Sequence, residues 1–184
     1  MILNIGLPVY AAVYTVPSDS GEADTVYVAG NPNAYPLEYY SKEDKAFCGV
    51  FPDMLKVVSE KTGISFTYIS ASSENRQKEL SRNNQVELLT VLSDKQDECK
   101  VDELLPVLEF YSKGENTTYC IGFTEITSPE LIGKIRNAFL EISEEEKMGF
   151  LLANSNNNPD VSNKNRLIKI IILSISFLIV ICGF

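Results

Sequence analysis

The 184-residue chain predicts an α/β fold: a mixed sheet flanked by helices, followed by a C-terminal transmembrane helix. Three observations carry that expectation. Residues 26–69 run strand, loop, helix, strand. Residues 74–90 repeat the helix-then-strand order, and residues 170–184 are an uncharged apolar run. Alternating strands and helices build a sheet covered by helices.

The elements follow in order. Residues 26–29 are a short apolar strand that runs into a Gly/Asn/Pro loop at 30–36. A second extended piece, 37–40, ends in a charged turn at 41–45. Gly49 opens a helix over Val50–Thr62, and Gly63 stops it, as glycine does at helix ends. Residues 64–69 read as a strand, Glu74–Arg82 as a helix and 86–90 as a third strand. Residues 103–109 contain Pro106 and read as an extended strand or linker. Lys113, Gly114, Glu115 and Asn116 form a hairpin-like turn into a strand at 117–123. Ser128 caps the next helix, with Pro129 in its first turn and Glu130 at the positive dipole end. Leu131, Ile135, Ala138, Phe139 and Ile142 recur at helical spacing and form a core stripe. Ser143 and Glu146 form a capping box. The helix it opens extends to about Ala153, with Met148, Leu151 and Leu152 expected to pack it back on the sheet.

Composition narrows the function classes. Apolar residues make up 45% and charged residues 22%, the values of an ordinary globular domain. The net charge of −9 and the lack of a Lys/Arg cluster argue against nucleic acid as a partner. There is no histidine, which removes histidine general bases, Ser–His–Asp arrangements and the usual zinc sites. No Gly-rich phosphate loop is present. The chain therefore reads as a non-enzyme with no catalytic residues, no metal site and no cofactor. The acidic runs at 144–146 and 102–103 read as solvated surface.

Residues 26–69 carry a family resemblance. Tyr35-Pro36-Leu37-Glu38-Tyr39, then Gly49-Val50-Phe51-Pro52-Asp53, then Thr62-Gly63 resemble the opening of bacterial family 3 extracellular solute-binding proteins, which have the periplasmic-binding-protein type II fold. Downstream, residues 119–124 followed by Ser128-Pro129-Glu130-Leu131 resemble the strand and helix by which that family's chain returns to its first lobe. Two departures matter. The family inserts a second lobe between the third strand and the returning strand, and here only residues 91–118 occupy that interval, too few for a lobe with its own core. The family's acid-binding arginine is also missing. Lys95 stands nearest, and it lacks the bidentate fork.

The resemblance implies a single reduced lobe, as found in sensor regions of membrane signalling proteins. It implies a small polar, amino-acid-like ligand over the loop that follows the first strand. Ligands bind beyond the carboxyl ends of strands in open α/β sheets. Tyr35 and Tyr39 would stack on the ligand, and Glu38 would fix an ammonium or hydroxyl group. Thr90 and Ser93 would supply hydroxyls and Lys95 a charge. The competing reading alternates Tyr35, Leu37 and Tyr39 into the core of a two-stranded ribbon. With one lobe, the ligand is covered on one side only, so closure calls for a second copy or a partner protein. An extracytoplasmic domain permits one disulfide among Cys48, Cys99 and Cys120, and loop context points to Cys48–Cys99. Buried thiols are the alternative, above all for Cys120.

The ends read as membrane signals. Residues 170–184 span about 22 Å as a helix at ~1.5 Å per residue, and a bilayer needs about 20 apolar residues. The sequence thus predicts a transmembrane helix at 167–184 that is cut short, preceded by an Asn-rich tether at 154–166. Residues 1–24 read as a signal-peptide remnant and linker, leaving residues 25–153 as the domain. Lys164, Arg166 and Lys169 flank the apolar run on the side that favours a cytoplasmic domain. A working export signal overrides that bias, and the resemblance is to an extracytoplasmic family. The expected protein is a single-pass receptor with its domain outside the cell and a signalling domain downstream. A transport-associated solute-binding protein and an interaction domain without a ligand are the alternatives.

Overall fold

The computed structural model describes residues 24–93, 99, 101–112 and 115–155. β1 (Thr25–Gly30) pairs in parallel with β5 (Ser65–Ser70) on one side and with β6 (Leu88–Leu92) on the other. β8 (Glu115–Thr124) adds antiparallel to β6, and β7 (Val101–Ser112) adds antiparallel to β8. The five-stranded sheet therefore runs β5-β1-β6-β8-β7. β2 (Asn33–Ala34), β3 (Glu38–Ser41) and β4 (Ala46–Cys48) form a separate antiparallel sheet over the end of β1.

Both faces of the main sheet are covered, which is why its central strands read as apolar runs. On one face, Val26, Val28, Phe66, Tyr68, Leu88, Ile121 and Phe123 pack with residues of α1 (Val50–Thr62) and α3 (Pro129–Leu140). On the other, Ala29, Leu89, Val91 and Cys120 pack with Leu80 of α2 (Glu74–Arg82). Period-two alternation assigns neighbours such as Val28 and Ala29 to opposite faces.

The helix signals act as the sequence implies. The Ser128 hydroxyl accepts from the Leu131 N–H with Pro129 at the helix start. Ile135, Ala138, Phe139 and Ile142 are buried. At the start of α4 (Glu144–Ser155), the Ser143 hydroxyl accepts from the Glu146 N–H at 3.2 Å, while the Glu146 carboxylate accepts from the Ser143 N–H at 2.8 Å.

Several expectations are corrected. Met148 and Leu152 are exposed; Leu151 packs against the core as expected, joined by Phe150. Residues 103–109 take the strand alternative of their reading and lie in the long β7, which pairs antiparallel with β8. Neither Cys48 nor Cys99 is in a disulfide. Cys48 lies on β4 of the small sheet, and Cys99 is buried in the cluster beneath α2, so the two face different surroundings. Asn154 and Ser155, expected to open the tether, close α4 instead; residues 156–166 of the tether and the apolar run lie outside the described residues. Among the described residues, no helix is long and apolar enough to cross a membrane.

Candidate functional site

Residues 30–48 fold back over the carboxyl end of β1, and backbone bonds fix that fold. The Leu37 N–H donates to the Ala34 carbonyl at 2.8 Å. The Val50 and Phe51 N–H groups at the start of α1 donate to the Pro36 and Leu37 carbonyls at 3.2 and 2.9 Å. The loop thus satisfies helix donors that a side-chain cap would otherwise serve. Gly49 makes this close approach possible. Its φ is +124°, and a Cβ there would lie 2.6 Å from the Leu37 carbonyl oxygen. The Tyr35–Pro36 peptide is cis.

Pairing of Glu38 with Ala34 across β3 and β2 turns the Glu38 side chain inward. It is 1% exposed. Its Oε1 accepts from the Asn31 N–H at 2.7 Å and from the Thr90 hydroxyl at 2.5 Å. Its Oε2 has no hydrogen-bond partner. Burial pushes the Glu38 carboxyl up to about 7 against the lowering effect of the two hydrogen bonds. Desolvation wins because a buried carboxylate loses more hydration than two donors restore.

Beside this carboxyl lies a half-open cavity of about 100 Å³ at the ends of β1 and β6. Asn31, Glu38, Gln77, Thr90 and Tyr119 contribute its polar wall, with Glu74 and Lys78 of α2 also lining it. Gln77 is buried, and its side-chain amide donates to the Thr90 carbonyl at 3.3 Å, which ties α2 to β6. Burial and the neighbouring Glu38 both raise the Tyr119 phenol above its ordinary range.

Of the residues expected to form the site, the structure brings together Glu38 and Thr90. Tyr35 and Tyr39 do not line this cavity. They contact each other, with ring centroids 5.3 Å apart, and Tyr39 is buried. The Tyr35 hydroxyl donates to the carbonyls of Asn154 at 2.6 Å and Ser155 at 2.8 Å. Tyr39 is thus packed as the ribbon alternative describes, while Tyr35 is partly buried beside it. Ser93 is exposed beyond β6 and is absent from the cavity wall. Lys95 lies outside the described residues. Asn31, Gln77 and Tyr119 were not anticipated. The one sequence signal for Gln77 is its place with Glu74 and Lys78 at i, i+3 and i+4, one face of a helix.

The fold is that of a periplasmic-binding-protein type II-like lobe. It superposes on the arginine-bound form of domain 1 from TmArgBP with a TM-score of 0.51 and 13% identity, covering 64% of this chain and 92% of that one. The Bordetella pertussis BvgS periplasmic VFT2 domain gives 0.58 at 10% identity, covering 71% of this chain and 92% of that domain. The B. pertussis BvgS periplasmic domain gives 0.63 at 11% identity, covering 80% of this chain and 46% of that one. No family model matches the sequence, and no curated protein matches it.

Proposed function

We propose that this chain is the extracytoplasmic ligand-sensing lobe of a membrane-anchored receptor. In this reading the sensing domain ends with α4 at Ser155, and the residues after it serve as tether and membrane helix. The observation that carries the reading is the Tyr35 hydroxyl. It sits in the loop that also presents Glu38 to the cavity, and it binds the Asn154 and Ser155 carbonyls where the chain leaves the domain. Asn154 in turn donates to Asp53 of α1 at 2.7 Å. A change in the loop on ligand entry thus has a hydrogen-bonded route to the tether. Likeness to a BvgS periplasmic domain and to an arginine-binding domain supports a sensor that takes a small polar ligand.

Protease accessibility tests the placement. The full chain is expressed in bacterial cells, and spheroplasts and inverted membrane vesicles are treated with protease. Cleavage of a membrane-bound domain in spheroplasts and protection in inverted vesicles supports the reading. A domain found in the soluble fraction, or cleaved only in inverted vesicles, rejects it. Transport-associated solute capture is the second reading, favoured by the arginine-binding neighbour. It predicts ligand binding without any role for the Tyr35 contact.

A further inference from the structure

The β7–β8 ladder runs past the rest of the sheet, and its far end carries the triplet Asn116-Thr117-Thr118. β6 pairs with β8 from Leu92↔Tyr119 to Leu88↔Phe123. Beyond that, the pairs from Glu109↔Thr118 to Ser112↔Glu115 continue as a two-stranded ribbon. The triplet lies on this ribbon. It is the sequence's one Asn-x-Ser/Thr pattern without proline at the middle position. Asn116 is exposed, and Thr117 and Thr118 are half-buried. Alternation along a strand sends the Asn116 and Thr118 side chains to the same face. An exposed asparagine alone is ordinary surface. The threonine two positions on distinguishes this one, because that spacing is the acceptor pattern for N-linked glycan transfer.

We propose that Asn116 is an N-glycosylation acceptor, modified from a lipid-pyrophosphate-linked oligosaccharide in cells whose export route carries the transferase. This step rests on the extracytoplasmic reading above, because the transfer takes place on the side of the membrane opposite the cytosol. The Asn116 side-chain nitrogen attacks the anomeric carbon of the first sugar. The C–N bond forms as the C–O bond to pyrophosphate breaks, and lipid pyrophosphate leaves with that bond's electron pair. The amide nitrogen gives one proton to a carboxylate base of the transferase, and nothing is oxidised or reduced. The position suits this chemistry. Among the described pairings, the segment holding Asn116 pairs with β7 alone. A two-stranded ribbon by itself is marginally stable. It therefore opens to a transferase at lower cost than the five-stranded part of the sheet. A bulky, solvated glycan has room there, since the ribbon projects beyond β6 and Asn116 is exposed. The glycan stands three positions before Tyr119, which lines the cavity on the same strand.

The test is translation of the full chain, behind a cleavable secretory signal, with endoplasmic-reticulum microsomes. Only the protease-protected product is scored. The expected result is one step to lower gel mobility that peptide N-glycosidase reverses, leaving aspartate at the site in the mass spectrum. Asn116→Gln and Thr118→Ala are each expected to remove the step, and Thr118→Ser to keep it. The glycan is read as covalent mass, so a variant that folds poorly still reports. Gln85→Thr is the control for access. Asn83 and residue 85 are both exposed, and the substitution makes Asn83 a second acceptor. A protected chain that gains a glycan only with Gln85→Thr overturns the inference. So does a step that persists in Asn116→Gln, or a protected wild-type chain with no step. Because the added signal fixes the domain on the luminal side, such a failure belongs to Asn116. The placement of the domain stands or falls on the spheroplast experiment instead.

Discussion

The Tyr35 hydroxyl lies 2.6 Å from the Asn154 carbonyl oxygen, joining residues 119 positions apart. It ties the loop over β1 to the last turn of α4. The same hydroxyl reaches Ser155 at 2.8 Å, and the Asn154 amide reaches Asp53 at 2.7 Å. Three segments thereby meet at the point where the chain leaves the domain.

Tyr35→Phe removes these bonds and keeps the ring against Tyr39. The expected cost is about 1–2 kcal/mol, since two backbone carbonyls lose a donor but sit near solvent. Hydrogen exchange should speed up selectively in residues 150–155 and leave β1 and β6 protected. Uniform loss of protection across the sheet would show that the contact supports the whole fold instead of the exit.

Glu38 makes stability depend on pH in a defined direction. Its carboxyl is raised from 4.5 to about 7 in the folded protein. Between those values the unfolded chain loses the proton and the folded chain keeps it, so stability falls as pH rises. The loss is roughly 3 kcal/mol across the window and flat above it. Denaturant melts at pH 4.5, 6 and 7.5 check this after subtraction of the same series for Glu38→Gln, which should lack the slope. A difference curve that rises with pH contradicts a buried, protonated acid.

Gly49→Ala should cost about 2–4 kcal/mol. The left-handed φ of +124° strains any side chain, and the Cβ would strike the Leu37 carbonyl. Gly63→Ala, at φ +75° with open space around it, should cost less. Thermal melts compare the two, and equal losses would remove the role given to the Leu37 contact.

The face of α4 is testable by truncation. Met148→Ala and Leu152→Ala, both exposed, should each change stability by less than about 0.5 kcal/mol. Leu151→Ala, packed against the core, should cost at least about 1 kcal/mol. The reverse ranking would contradict the packing of α4 through Leu151.

That helix shows where the sequence was legible and where it was not. Its start was readable because Ser143 and Glu146 satisfy local donors three residues apart. Its buried face was only partly so: Leu151 was expected there, but Phe150 and the polar Asn154 complete it, and Asn154 is held by Asp53, which is 101 positions away. The bounds of α1 were likewise local matters of Gly49 and Gly63. Of the expected site residues, Glu38 and Thr90 are brought together on one cavity wall, Glu38 at the start of β3 and Thr90 within β6. Tyr35 and Tyr39 stand against each other outside the cavity wall, a placement set by the fold of the loop and not by any local pattern. Gln77 and Tyr119 reach the cavity only through packing of α2 and β8 on the sheet, which no local pattern encodes.

The central claim is that the cavity beside Glu38 and Thr90 binds a small polar solute. The most direct measurement is the melting temperature of the full chain in detergent, scanned across amino acids, small amines and organic acids at increasing concentration. The account predicts that at least one compound raises it saturably, as a ligand of the folded state must, and that Thr90→Val abolishes the rise. No saturable shift by any compound, or a shift unaffected by Thr90→Val, would contradict it.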